Sequence, residues 1–421
     1  MELARGVRDF PPKIQIIRED LFSRIRRSFQ LHGFRPFATP GIERKETLLF
    51  KFAGDEDVMH ELFLLSDQGG RDLGLRFDLT VPLCRFVAMN KDIKFPFKRY
   101  EIGRVYRDGP LKKGRYREFW QCDADIVGSS SPLADAECIR VLDDVFSTLP
   151  FKYVIKVNNR LLLTEVCDFV GISDSHKAII LLDKLHKIGK DSLRQQLCEF
   201  CSEQQVSDLF SLLFTQGTND GRLELLRSAL GSSRGVDELC EVFSFIDDVA
   251  SVEFDPTLAR GLNYYTGTVY EVFLLDSEIT SSVAAGGRYD SIIGQMRGEG
   301  DIPAVGLSFG IDPLTDALLA EKKRFDSTYA DIFVAWIKAP REGLAIASRL
   351  RASGINVDID VMERSLSKNL DFADKMGIPF VLILGPQDLD AGEVTLKNMR
   401  SGEESRVKLS ELDQLDLSLF E

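Results

Sequence analysis

Lys98–Gly128 reads KRYEIGRVYRDGPLKKGRYREFWQCDADIVG. Two runs rich in Val, Ile, Tyr, Phe and Trp flank a turn of Gly, Pro and Lys, which predicts an antiparallel hairpin with a long basic loop. Side chains alternate along a strand with period two. In the second run Arg115, Arg117, Phe119, Gln121, Asp123 and Asp125 therefore share one face, while Tyr116, Glu118, Trp120, Cys122, Ala124 and Ile126 share the other. The first face is mostly hydrogen-bonding, with cations near the loop and carboxylates at the far end of the strand. It fits a ligand with an anionic end and a polar end. A solvated hairpin laced with surface ion pairs would show the same alternation. Against that, eight cations, from Lys98 to Arg117, lie within twenty residues and are balanced only by Glu101 and Asp108. Such crowding repels itself unless an anion is present, so the loop is suited to phosphate.

Working outward, ELFLLSD and DLGLRFDLT between Glu61 and Thr80 are separated by QGGR, a second hairpin signature. Asp78 and Thr80 sit two apart and share a face, and Pro82 opens a predicted helix, VPLCRFVAMN. Asp-x-Thr before a helix is ordinarily a cap. Downstream, LARGLNYYTGTVYEVF (258–273) places a cation, a glycine and two tyrosines ahead of a strand, and AAGGRYDSIIG (284–294) pairs two glycines with arginine and tyrosine. Alone, ARGLNYYTG reads as a turn with aromatic packing. PAVGLSFGIDPLTDALL (303–319) predicts a strand running into a helix.

Together these runs resemble the class II aminoacyl-tRNA synthetases. Lys98–Gly128 resembles their motif 2, and GRYREFWQCDADIVG is similar to the form in histidyl-tRNA synthetases of archaeal and eukaryotic type. The segments at 258–273 and 284–294 resemble the two motifs that set histidyl enzymes apart, and 303–319 resembles motif 3. The resemblance implies that Arg107 grips the ATP α-phosphate and the amino-acid carboxylate, that Arg115 contacts the distal phosphates, and that Arg260 stabilises the α-phosphate during activation. It further implies that Asp78 and Thr80 bind the α-amino group of histidine and that Gln121, Asp125, Tyr264 and Tyr265 line the imidazole site. The chemistry agrees: neutral imidazole has one N–H donor and one bare nitrogen, which a carboxylate such as Asp125 and a hydroxyl such as Tyr265 satisfy. Gly286 and Gly287 would let backbone approach the ligand, with Arg288 and Tyr289 bracing it. The partners implied are histidine, ATP carrying Mg2+, tRNA(His) and a second copy of the chain. Motif 3 departs from the family pattern, since Pro313 stands where an arginine is usual and Asp312 where a glutamate is usual. In the motif-2 loop, which the resemblance implies reads the extra 5′ guanosine of the tRNA, Lys112 stands where many relatives have glutamine.

The remaining chain frames these motifs. Ile14, Ile17, Leu21, Ile25 and Phe29 give residues 12–32 a helical apolar stripe, followed by a short extended piece between Pro36 and Pro40 that resembles the dimer-forming motif 1. SPLADAECIRVLDDVFSTL predicts another amphipathic helix and YVIKVNN a strand. The expected organisation is a first catalytic segment at 1–159, a leucine-rich, acidic helical insertion at 160–245, and a second catalytic segment at 246–325. Past a charged break near Lys322–Thr328, alternating strands and helices at 329–421 predict a three-layer α/β domain with a mixed sheet, resembling the anticodon-binding domain of class IIa synthetases. The fold class expected is α+β: an antiparallel sheet flanked by helices, with a helical insertion and a C-terminal α/β domain.

Composition narrows the function classes. Net charge is -13 over 421 residues, which argues against non-specific nucleic-acid binding and against DNA as a partner. The charge is uneven, because residues 1–120 hold 24 Lys and Arg against 17 Asp and Glu. A polyanion should therefore meet the N-terminal part first. The C-terminal region carries 11 basic and 16 acidic residues, so tRNA recognition there would rest on base contacts. Seven cysteines in no regular framework, with a single CxxC at Cys198–Cys201, predict a reduced cytoplasmic protein, and no apolar run approaches a membrane span. Only His32, His60, His176 and His186 occur, so no metal site is expected. An alternative is a non-catalytic, synthetase-like, histidine-sensing regulatory subunit. Pro313 favours it, whereas the arginine and tyrosine motifs and the C-terminal domain speak against it.

Overall fold

The computed structural model describes residues 1–50, 60–111, 114–260, 264–321 and 327–420. Lys112, the turn at 261–263 and most of the expected break near Lys322 lie outside the described residues. Two compact units organise the chain: Met1–Arg8 with Asp20–Lys322, and Asp9–Glu19 with Lys323–Glu421.

The strands of the first unit are β1 Arg35–Pro36, β2 Ile42–Arg44, β3 Leu64–Ser66, β4 Asp72–Leu75, β5 Phe97–Tyr106, β6 Glu118–Val127, β7 Lys152–Asn159, β8 Val252–Phe254, β9 Thr268–Leu275, β10 Ala284–Arg288 and β11 Ala304–Gly310. Eight of them form one sheet in the order β1-β5-β6-β11-β10-β9-β7-β8. The six from β5 to β7 pair antiparallel, as expected. Both edges differ: β1 joins β5 and β8 joins β7 in parallel, so the sheet as a whole is mixed. Pro36 sits in the two-residue edge strand, where its missing N–H costs no ladder bond.

The hairpin at the centre is β5–β6, with Tyr106 opposite Glu118 and Phe97 opposite Val127. Its alternation holds through the strand. Cys122, Ala124 and Ile126 are buried on the same face as Tyr100 and Phe309, whose rings lie 5.3 and 5.9 Å from Phe29 in the long helix Pro12–Leu31. The helix Pro132–Ser147 covers that face as well, its Phe146 ring 5.9 Å from Phe309. This helix starts where the sequence says it should, with Ser131 accepting from the Leu133 N–H at 3.2 Å and proline at the first helical position. With one face sealed by helices, the polar face of β5, β6 and β11 is left to line a site.

The second expected hairpin is β3–β4, which with β2 forms a small sheet and delivers the chain to Asp78 and the helix Thr80–Met89. From Arg160 to Ser244 every regular element is a helix. Leu182, Leu193, Leu197, Leu209, Leu226 and Leu239 are buried there, the pattern that amphipathic leucine spacing produces when helices pack on one another.

The second unit contains β12 Ile332–Trp336, β13 Val357–Ile359, β14 Phe380–Leu384, β15 Glu393–Asn398 and β16 Glu404–Lys408, in the order β13-β12-β14-β15-β16. Parallel pairing on both sides of β12 gives way to antiparallel pairing beyond β14. Ile332 and Val334 pack with Leu350 of the helix Pro340–Ala352, while Phe333 and Ala335 pack with Ala373 of the helix Leu366–Met376. Alternate residues of one strand thus bury into opposite layers, giving three layers around a mixed sheet.

Candidate active site

The polar face of β6 opens into a cavity of about 350 Å³, within the range of small-molecule sites. Phe119, Gln121, Asp123 and Asp125 line it from β6, Gly306, Ser308 and Gly310 from β11, and Gly286 and Gly287 from β10. Asp78, Thr80, Arg107, Arg260, Tyr264, Tyr265 and Tyr289 complete the wall together with Glu61. Three sequence runs far apart in the chain therefore meet on one face of one sheet. A smaller cavity of about 130 Å³ shares Glu61, Arg107 and Phe119 with the first and is also lined by Arg115 and Tyr116.

Two guanidiniums define the basic end. Arg107 donates through Nε to the Phe77 carbonyl at 3.0 Å and lies 5.1 Å from the Phe119 ring centroid. Burial lowers its pKa, and the nearby carboxylates of Asp78 and Glu61 oppose that shift. Arg260 is ion-paired with Glu271 of β9, which also accepts from the Ser282 hydroxyl at 3.2 Å. Burial alone would lower the Arg260 pKa, but Tyr265 and Glu271 hold it above its ordinary value.

The polar end is built from β6. Asp125, 2 % exposed, is engaged on both oxygens: Oδ1 accepts from the Tyr289 hydroxyl, and Oδ2 pairs with Arg99 at 2.7 Å. Arg99 is fully buried and also donates to the Leu79 carbonyl at 3.0 Å. Gln121 donates through Nε2 to the Ser308 hydroxyl at 3.1 Å. Tyr264 and Tyr265 stack with ring centroids 4.3 Å apart and hydroxyls 3.2 Å apart. Asp78 accepts through Oδ1 from the Val81 N–H at 2.9 Å at the start of the helix Thr80–Met89, and its side chain also lines the cavity.

The strand pattern is corrected at Arg117, and the glycine motif finds protein partners. Arg288 supports that motif from outside the cavity: it pairs with the buried Asp135 and donates to the Ser129 carbonyl at 2.8 Å, fastening β10 to the helix Pro132–Ser147. Arg117 leaves the ligand face because the regular strand starts only at Glu118; its guanidinium pairs with Asp108 at 3.1 Å. Gly286 is required first by its protein neighbours. A Cβ there would clash with the Gly306 carbonyl and lie 2.5 Å from the Tyr270 ring, and one at Gly287 would lie 2.9 Å from the Tyr265 ring. Sequence reasoning placed Asp123 on the ligand face without giving it a role, and it passed over Glu61, Glu271 and Ser308. The period-two signal that marks Gln121 and Asp125 marks Asp123 equally.

Among the described residues no group of three or more His, Cys, Asp or Glu could hold a metal ion, and no helix is long and apolar enough to cross a membrane.

Comparison with known proteins agrees with this geometry. The histidyl-tRNA synthetase family profile matches residues 6–314, and that of the anticodon binding domain matches residues 332–415. Histidine–tRNA ligase 1 of Bacillus cereus is 39% identical over 422 residues, covering 98% of this chain and 96% of its own. Histidine–tRNA ligase 2 of Shouchella clausii is 40% identical over 415 residues, covering 96% of this chain and 98% of its own. The crystal structure of histidyl-tRNA synthetase from Nostoc sp. PCC 7120 superposes with a TM-score of 0.88 at 31% identity, covering 98% of each chain. A sheet face that joins a basic end to a carboxylate end, and sequence likeness running from one end of the chain to the other, lead to one assignment: this chain belongs to the histidyl-tRNA synthetase family.

Proposed function

We propose that this chain attaches histidine to tRNA(His) in two steps, working as a cytoplasmic homodimer. In the first step a histidine carboxylate oxygen attacks the α-phosphorus of MgATP, the bond to the β-phosphate bridging oxygen breaks, and pyrophosphate leaves with its metal. In the second, a ribose hydroxyl of the terminal adenosine attacks the carbonyl carbon of histidyl-adenylate and AMP departs. The observation that carries this reading is the meeting of Arg107 and Arg260 with the carboxylate-rich face of β6 in one cavity.

Catalysis of the first step is electrostatic. Arg107 and Arg260 neutralise charge that builds on the non-bridging α-phosphate oxygens, and the enclosed site strengthens that interaction. Arg115, in the adjoining smaller cavity, receives the distal phosphates. Asp78 and Thr80 take the α-ammonium, one supplying charge and the other direction. Gln121, Asp125, Tyr264 and Tyr265 form the ring site, where an amino acid without an imidazole leaves buried polar groups unpaired. Residues 1–159 and 246–325 form the catalytic region, 160–245 lies over the acceptor arm, and 329–421 reads the anticodon.

The test is exchange between pyrophosphate and ATP, run without tRNA and with several amino acids in turn. Exchange with histidine alone is expected. Absence of exchange under conditions where histidine still binds would overturn the reading in favour of a non-catalytic regulator.

A further inference from the structure

The loop between β5 and β6 is tied to more than its own hairpin. The register that sets Tyr106 opposite Glu118 makes Arg107 and Arg117 the next pair, and Arg107 donates its N–H to the Arg117 carbonyl at 2.8 Å. A hydrogen-bonded antiparallel pair ordinarily exchanges both bonds. Here the Arg117 N–H instead reaches the Gly6 carbonyl at 2.8 Å, so the N-terminal segment takes the rung that would have closed the ladder. Gly6 has φ +87°, and a Cβ there would lie 2.7 Å from the Leu111 side chain and 2.8 Å from that of Arg117. Two residues on, the Arg8 guanidinium lies 3.7 Å from the Tyr116 ring centroid and donates to the Tyr116 hydroxyl at 2.8 Å. It also pairs with Asp312 at 2.6 Å. Asp312, buried in the helix Ile311–Ala320, accepts in turn from the Trp120 N–H of β6 at 3.2 Å. One short segment thus grips the main chain and a side chain of the loop and is itself tied to the sheet. The described residues that line the smaller cavity include Arg115 and Tyr116 but neither Gly6 nor Arg8.

We propose that Gly6–Arg8 is a strap that holds this loop in its ATP-binding form, with Arg8 a positioning residue that acts through Tyr116 on Arg115. This rests on the smaller cavity taking the distal phosphates of ATP. The loop needs a holder for an electrostatic reason. Arg115 is exposed, and its charge is felt at Arg107. With no anion present these cations repel one another, which favours an open loop. Holding Tyr116 against a guanidinium that Asp312 already neutralises fixes the loop without adding net charge.

A strap of this kind sets the share of molecules ready to bind ATP, and saturating ATP restores that share. In histidine-dependent pyrophosphate–ATP exchange Arg8→Ala is expected to raise the KM for ATP roughly tenfold, as when about one molecule in ten keeps the loop in place. The kcat and the KM for histidine should stay within about twofold of the parent. Without ATP, trypsin should cut after Arg115 several times faster than in the parent chain, and MgATP should slow that cut. Arg8→Lys keeps a charge beside Asp312 but loses the planar stack on Tyr116, so its KM for ATP should fall between the two. It is read by the same criteria if the Ala variant does not accumulate. An unchanged KM for ATP or an unchanged rate of cleavage overturns the proposal. So does a fall in kcat with both KM values rising together, the pattern of a damaged fold. Arg115→Ala separates the strap from the reading on which it rests. A raised KM for ATP there, with parental kinetics in Arg8→Ala, removes the strap alone, whereas an unchanged KM in Arg115→Ala removes the cavity assignment and the strap with it.

Discussion

Removing the Arg260 side chain tests the electrostatic account most directly. Arg260 is largely enclosed and paired with Glu271, whose side chain is only 14% exposed. Two losses follow from Arg260→Ala. One donor to the developing negative charge disappears, typically worth ~2.7–4 kcal/mol, or a factor of ~10²–10³ in rate. Glu271 is also left as an uncompensated carboxylate facing a triphosphate. At a separation of ~8 Å and an effective dielectric of ~20 that repulsion costs about 2 kcal/mol, a further factor of ~30. Histidine-dependent pyrophosphate–ATP exchange should therefore fall by ~10⁴-fold, while histidine binding, measured by equilibrium dialysis, stays within about threefold of the parent. The double variant Arg260→Ala/Glu271→Gln should recover roughly the last factor of ~30, because the repelling charge has gone. Exchange above about one tenth of the parent rate, or loss of histidine binding in step with exchange, would refute the reasoning.

Asp125→Ala should raise the KM for histidine and also cost stability, since it removes part of the proposed ring site and strands the fully buried Arg99. A loss of ~3–5 kcal/mol in urea unfolding is expected, and an unchanged midpoint would remove Asp125 from its counter-ion role. Gly306→Ala would set a methyl group against Asp125 Oδ1 and 3.0 Å from the Ala124 carbonyl. A cost of ~1–3 kcal/mol with raised KM for histidine follows, and a variant of parental stability and KM would count against that geometry. His32 has Nε2 2.6 Å from Asp144 and Nδ1 3.3 Å from Glu137. The Glu137 hydrogen bond, with Asp144, raises its pKa, while His32 and Lys98 hold Glu137 down at about 2. The raised histidine stabilises the fold below its ordinary pKa and loses that effect as pH rises through the folded value; the lowered glutamate contributes above its ordinary pKa and loses it toward about 2. His32→Ala should thus cost more unfolding free energy near pH 5.5 than near pH 8.5, by on the order of 1 kcal/mol given the exposure of Asp144. A difference independent of pH would sink this assignment.

The hairpin was legible because period two on a half-polar strand leaves few alternatives, and the helices because their stripes and the Ser131–Pro132 start are local signals. The ion pair of Asp125 was not legible. It is set by Arg99, which register places opposite Asp125 rather than Asp123, and register between neighbouring strands depends on where the loop ends. Arg117 illustrates the same limit: alternation counted back into the loop assigns it a face, yet the strand begins one residue later. The partner of Arg288 was hidden for a different reason. A cation beside two glycines suits a ligand or a buried carboxylate equally, and Asp135, its partner, lies on a helix 153 residues away.

Pro313, expected from the sequence to stand where a motif-3 arginine is usual, fits its place in the helix. It occupies the first turn of the helix Ile311–Ala320, where backbone N–H groups have no intrahelical partner and proline costs little. The neighbouring Asp312 is turned the other way. It pairs with Arg8 at 2.6 Å and accepts from the Trp120 N–H at 3.2 Å, so the helix start is anchored to both β6 and the N-terminal segment. Arg8 in turn lies 3.7 Å from the Tyr116 ring centroid and donates to the Tyr116 hydroxyl at 2.8 Å. The Arg8 guanidinium is therefore committed to Asp312, Asp316 and Tyr116. With those partners it is not free to serve in place of the motif-3 arginine expected at Pro313. The described cations that line the main cavity are Arg107 and Arg260, with Arg115 next door. In the proposed activation step the described positive charge beside the ligand comes from those three, which is why the loss of Arg260 is expected to be so severe.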